Sequence, residues 1–186
     1  MKFYLSVLIT VFCVCRRFVK AEQTYTVTNE RFEHYEGQQN TLFNHNMKVI
    51  GRQRSLNGTM TFLEDFDNNR FMLQVELYSA QNGDDNFKLL PTGLPPNNFC
   101  ETLKNYFNQM LKPSLVEGEN TNFPNIPEEG LCPLPKGEYY FKELILNTDS
   151  WPSQIPRGTL KSKMIFYKDG KNIGAWSLQM KIEDRK

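Results

Sequence analysis

A chain of 186 residues, with 22 Lys and Arg against 21 Asp and Glu, has the size of one domain. Its formal charge of +1 gives no electrostatic drive toward nucleic acid, which requires clustered Lys and Arg. Aromatic residues at 13%, 14 of them Phe, supply bulk for a sizeable core and exclude a disordered tail or a collagen, while a mean hydropathy of −0.55 leaves the surface polar.

The first element is not part of the fold. Phe3 to Val14 is an apolar run broken only by Ser6 and Thr10; it follows Lys2 and stops at Arg16-Arg17. A spanning helix needs about 20 apolar residues, so this run has the length of a signal-peptide core. Val19-Lys20-Ala21 places cleavage after Ala21, leaving a single domain over residues 22–186; an uncleaved signal anchor is the other reading of the two arginines. Cleavage removes Lys2, Arg16, Arg17, Lys20 and no acid, so 18 basic residues face 21 acidic ones, a net charge of −3. The expectation is a secreted, extracellular protein with no membrane span.

Period two dominates the rest of the chain. Tyr25–Phe32 reads as the first strand. Met47–Leu56 and Thr59–Phe66 flank Asn57-Gly58, whose chemistry predicts a two-residue hairpin turn, with Met60, Phe62 and Phe66 on one face. Asn57-Gly58-Thr59 is also a glycosylation sequon, and a surface turn suits both readings. After the Asp67-Asn68-Asn69 turn, Phe71, Leu73, Val75 and Leu77 alternate with Met72, Gln74, Glu76 and Tyr78; Asn86–Leu90 is a further short strand. Phe99, Leu103, Phe107, Met110 and Leu111 then recur at helical spacing, Asn98 and Glu101 form a capping-box pattern, and Pro113 ends the helix. Prolines make Pro91–Asn97 and Ser114–Lys136 irregular. Tyr139–Leu146 is apolar on both faces and predicts a buried strand. Asp169-Gly170 joins Leu160–Lys168 to Ile173–Glu183, where Trp176, Leu178, Met180 and Ile182 alternate with a wet face of Ser177, Gln179, Lys181 and Glu183. Seven or eight strands and one helix make a mainly β sandwich or open cup.

Catalytic chemistry is nearly absent. Cys13 and Cys15 leave with the signal, so Cys100 and Cys132 allow one disulfide, closing a loop of 32 residues worth about 3 to 4 kcal/mol on chain-entropy grounds. His34 and His45 are eleven apart in polar sequence and read as surface residues; no other Cys or His stands at metal-ligand spacing. Asp65, Asp67, Asn69 and Glu76 fall at calcium-loop positions, but Arg70 occupies the place that needs Gly, and a hairpin turn explains them better. Asp84 and Asp85, beside Asn82-Gly83, read as solvated turn residues. No nucleophile elbow, zinc-protease motif or phosphate loop is present, so the expectation is no enzyme, no cofactor and no metal.

Cys132-Pro133-Leu134-Pro135-Lys136-Gly137-Glu138-Tyr139-Tyr140, then Trp151-Pro152, Ile155-Pro156 and Gly158 ahead of the closing hairpin, with Phe99-Cys100 opening the helix, form a spacing pattern covering Tyr25 to Glu183. This pattern resembles the insect family of small secreted proteins similar to the ganglioside activator protein and the ML lipid-recognition domains, nearest to the chemosensory CheA and CheB groups of flies. The resemblance implies an immunoglobulin-like β-sandwich opened into a β-cup, an apolar cavity, and a hydrophobic, lipid-like ligand such as a pheromone.

Residues alone nominate Phe62, Phe66, Phe71, Leu73 and Trp176 for the inside of such a cup, and Phe99, Leu103, Phe107, Met110, Trp151 and Ile155 for its mouth. Plain core packing is the competing reading for each strand residue. Trp151 and Ile155, in the Pro-rich loop 147–157, suggest a stiff gate. The other functional reading is an extracellular interaction module that contacts a receptor or channel through the same apolar rim.

Overall fold

The computed structural model describes residues 24–81 and 84–185. The expected signal peptide, with Cys13 and Cys15, and the Asn82-Gly83 pair lie outside the described residues. The elements run β1 (Tyr25–Tyr35), β2 (Phe43–His45), β3 (Lys48–Ile50), β4 (Ser55–Phe62), β5 (Phe71–Ala80), β6 (Lys88–Leu89), β7 (Leu94–Asn98), α1 (Phe99–Tyr106), β8 (Gly137–Leu144), β9 (Gly158–Lys168) and β10 (Lys171–Asp184). All strand pairs are antiparallel. One sheet has the order β1-β10-β9-β5, with β6 and β7 sharing the far edge of β5; the other is built on β4, with β2 and β3 along one edge and β8 along the other. Over the described residues the protein is therefore mainly β with one short α-helix, as the alternation predicts, and Cys100 and Cys132 form the expected disulfide.

Burial follows the period. On β10, Leu178, Met180 and Ile182 are buried and Trp176 half-buried on the inner face. The outer face is less wet than expected: Ser177 is fully buried, its hydroxyl 3.3 Å from the Tyr35 hydroxyl, because Tyr35 lies across it. At the closing hairpin Asp169 and Gly170 both have positive φ, 49° and 76°, the two-residue turn that matches strand twist.

The other expected turn is displaced. Asn57 and Gly58 lie inside β4, and the chain reverses at residues 51–54, where Gly51 and Arg54 take positive φ and the Arg54 N–H reaches the Gly51 carbonyl at 3.3 Å. This register buries Phe43, Met47, Leu56 and Phe62 together, and slipping it would turn them to solvent. Gly58 is needed for another reason: its φ is 141°, at a bulge against β8, and a Cβ there would stand 2.8 Å from the Asn46 carbonyl oxygen and the Met47 Cα. The Asp67-Asn68-Asn69 turn likewise carries the chain from one sheet to the other rather than closing a hairpin, since β4 and β5 do not pair.

Two prolines sit in a strand that sequence reading leaves irregular. β7 pairs with β5 at Leu94, Asn97 and Asn98, and Pro95-Pro96 fall in the irregularity opposite Gln74, on the sheet edge where no N–H is owed. Asn98 does not cap α1 with its side chain; Asn68 Oδ1 instead accepts from the Cys100 N–H at 2.8 Å. Beyond Tyr106 the helix widens into a π turn, Phe107–Leu111, and tightens into a 3₁₀ turn, Lys112–Ser114, holding Pro113. Phe66 centres the core below the helix: it stacks on Phe71 at 4.2 Å, meets Phe99 at 5.1 Å, and exchanges two 2.9 Å backbone hydrogen bonds with Leu134.

Candidate functional site

Between the two sheets lies a cavity of about 100 Å³. One wall is Leu73 of β5, Met164 and Phe166 of β9, and Trp176, Leu178 and Met180 of β10, with Phe32 of β1; the other is Leu56, Met60 and Phe62 of β4 and Phe141 and Leu144 of β8. α1 and the π turn close one end with Phe99, Leu103, Tyr106, Phe107 and Leu111, and the loops add Leu115, Phe123, Leu134, Leu146 and Trp151.

Among the described residues, no charged side chain lines this space. Its polar atoms are engaged: the Tyr106 hydroxyl lies 3.0 Å from Ser162 Oγ, and Trp151 Nε1 donates to the Met110 carbonyl at 2.8 Å. Burial pushes the Tyr106 hydroxyl above its ordinary range, with the Ser162 bond opposing. Among the described residues, no group of three or more His, Cys, Asp or Glu is placed to hold a metal. Asp65 and Asp67, of the calcium-like spacing, accept backbone N–H groups of Lys136, Asn69 and Arg70.

Of the nominated residues, Phe62, Leu73, Phe99, Leu103, Phe107, Trp151 and Trp176 line the cavity. Phe66 and Phe71 are buried beside it in the core and do not. Met110 is turned off the lining because the π turn advances the helix face by one residue, so that Leu111 takes the inward position. Ile155 is half-buried against the core. Trp151 is no exposed gate: it is 5% exposed, and its backbone N–H is bonded to the Thr148 carbonyl. Asn57, expected in a surface turn, is a half-buried strand residue; its amide donates to Ser55 Oγ at 3.1 Å and accepts the Glu143 N–H at 3.0 Å, bonds that a glycan on Nδ2 would have to displace in part.

Sequence reading misses the contribution of β8 and β9, Phe141, Leu144, Met164 and Phe166, and also Phe123 of the irregular stretch. Alternation in β9 carries the signal for Met164 and Phe166. Phe123 has none, since it is carried by a loop whose Thr121 joins the edge of β8.

A model of the family described as "Protein of unknown function (DUF1091)" matches residues 73–162. The matched stretch runs from Leu73 on β5 through α1, both cysteines and Trp151 into β9, and so contains the helical end of the cavity. No curated protein matches the chain.

Proposed function

We propose that the protein is a secreted, non-enzymatic carrier or presenter of a hydrophobic, lipid-like ligand held between its sheets, acting in chemosensory perception as the resemblance implies. The observation that carries the binding reading is the composition of the cavity wall: apolar side chains from both sheets, the helix and three loop segments converge on one space, with no charged residue among the described ones. The Cys100–Cys132 disulfide and the apolar leader of the sequence support an oxidising, extracellular setting.

A volume of about 100 Å³ lies below the roughly 300 to 1,000 Å³ of sites that enclose a drug-sized ligand. The wall is adaptable, however: Met47, Met60, Met164 and Met180 are unbranched and repack at low cost, so an acyl or alkyl chain enters by displacing them. Each buried methylene contributes about 0.8 kcal/mol, so ten give about 8 kcal/mol gross, and affinity rises with chain length. An ionised head group stays outside, because the cavity offers no partner for its charge.

Catalysis is not part of this reading, since both His45 nitrogens lack a hydrogen-bond partner and no base is set beside a nucleophile in the cavity. The rival interaction module loses its main support where Trp151 turns inward. Native mass spectrometry of the secreted protein, with uptake of the neutral dye N-phenyl-1-naphthylamine, tests the carrier. Co-purifying lipid, or dye binding that Leu178→Phe reduces, is the expected result; an empty protein that takes up no dye overturns it.

A further inference from the structure

β1 and β2 are the facing edges of the two sheets, and at their seam stand Phe32, Met60 and Trp176, half-buried lining residues of the cavity as Tyr106, Leu111 and Leu115 are at its helical end. Two histidines sit at that seam, His45 half-buried and His34 exposed. His34 is the cross-strand partner of Trp176, and His45 that of Met60. Their ring centroids are 5.2 Å apart, His45 meets Phe32 edge-on at 4.9 Å, and His34 meets Phe43 at 5.8 Å. Among the described residues these ring contacts, and no backbone ladder, join β1 to β2.

The seam is fastened differently below. There Arg54 donates to the Asn29 and Glu30 carbonyls at 3.1 and 2.6 Å, and Asn29 Nδ2 returns a bond to the Arg54 carbonyl at 3.0 Å. None of these groups changes charge near neutral pH, so that end is a fixed hinge. The upper end rests on the ring contacts of Phe32, His34, Phe43 and His45. Both His45 nitrogens are shielded from water without a hydrogen-bond partner, and among the described residues no carboxylate faces them. On β1 the charged residues Arg31 and Glu33 pair with each other on the opposite face, on β4 the residue opposite is Met60, and His34 is the titratable group that His45 meets.

We propose that His45, packed against His34, is an acid-operated latch at the seam of β1 and β2, whose protonation parts the two strands and opens the cavity for ligand exchange. A proton on His45 creates a cation with no acceptor, beside a second imidazole and the Phe32 ring; the strain is relieved when β2 swings out and the ring reaches water. Burial first, and then His34, hold the His45 imidazole below its ordinary value. A group depressed in the closed state binds its proton more readily once released. The closed seam is therefore at full strength above about pH 6.5 and weakens as pH falls from there toward the depressed value.

The purpose of the latch rests on the cavity being a ligand site, but its motion is measurable without ligand. Amide hydrogen exchange of residues 43–45, which the ladder with β4 protects and the outward swing of β2 must break, is followed from about pH 7.5 to about pH 5, corrected for intrinsic rates, a window that spans imidazole titration. The opening constant should rise by up to about tenfold per pH unit for each proton bound on opening, while β9 and β10 remain protected. His45→Phe, which keeps the ring, should flatten the profile, and His34→Gln should make it shallower. Unchanged protection in the wild type, or a profile that survives in both variants, overturns the latch. Release of N-phenyl-1-naphthylamine, a neutral probe, should accelerate over the same range. If the dye never binds while exchange still follows pH, the carrier reading fails and the latch stands; if it binds and exchange is flat, the reverse holds.

Discussion

Trp151 Nε1 donates to the Met110 carbonyl across 2.8 Å, joining the Pro-rich loop before β9 to the π turn that ends the helix. The bond does two things at once. It satisfies the indole N–H inside an apolar wall, and it accepts on a carbonyl that the helix terminus leaves without an intrahelical partner. The helical end of the cavity is thereby a fixed wall, and Ser150 adds a second tie by donating from Oγ to the Gln109 carbonyl at 2.6 Å.

The two tryptophans should consequently respond in opposite ways. Trp151→Ala empties a buried, bonded site and should cost about 3 to 5 kcal/mol. Trp176, half-buried at the seam and stacked on Phe32 at 5.2 Å, should lose less stability on truncation and more dye affinity. Thermal melting and dye titration of both variants decide this; equal large losses of stability would remove the distinction between wall and mouth.

Strand periodicity was legible wherever one face is buried, as in Phe71, Leu73 and Val75 or Leu178, Met180 and Ile182, because burial enforces period two. Asn57-Gly58 misled because its turn chemistry is local, whereas its position in β4 is decided by the joint burial of Phe43, Leu56 and Phe62, residues on two strands. For the cavity the same limit applies. Period two tells that Phe62 and Phe71 both point inward, but whether an inward residue meets a void or another ring depends on what faces it, and for Phe71 that is Phe66. The shielding of His45 is equally non-local, since it comes from Phe32 and His34 of another sheet.

Gly58→Ala should destabilise the protein by about 1 to 3 kcal/mol, because the added Cβ meets the Asn46 carbonyl and the Met47 Cα as well as Asn46 Oδ1, which the Thr59 N–H holds in place. The sequence-based turn predicts a milder effect, as at Gly170, which also has positive φ but open space around it. Denaturant unfolding of the two alanine variants separates the cases. A smaller loss at Gly58 than at Gly170 would contradict the close approach to Asn46 and Met47.

Alkaline pH should weaken the outer tyrosine layer. Burial first, then the 2.6 Å hydrogen bond to Glu76, push the Tyr78 hydroxyl up to about 12. A phenol raised above its unfolded value contributes stability that is complete below about pH 10 and is lost as pH climbs through the folded value. Phenolate absorbance should show Tyr78 as a late-titrating group that Tyr78→Phe deletes. Its titration together with free tyrosine would refute the assignment.

The disulfide should matter to the cavity more than its surface position suggests. Cys132 is exposed, but its partner Cys100 is buried in the first turn of α1, one residue after Phe99 and three before Leu103, both cavity residues. The bridge joins that turn to the segment feeding β8, where the paired Phe66 and Leu134 bonds hold the same chain to the core. Replacing both cysteines with alanine should cost about 3 to 4 kcal/mol, the entropy of releasing a 32-residue loop in the unfolded chain. Because Phe66 and Leu134 still pair, the double variant should fold at moderate temperature, with α1 the first element to lose amide protection and dye affinity falling alongside it. Non-reducing peptide mapping of the wild type must find Cys100 joined to Cys132 within one chain. A double variant with unchanged melting and unchanged protection of α1 would show that the helix is held by its apolar face alone.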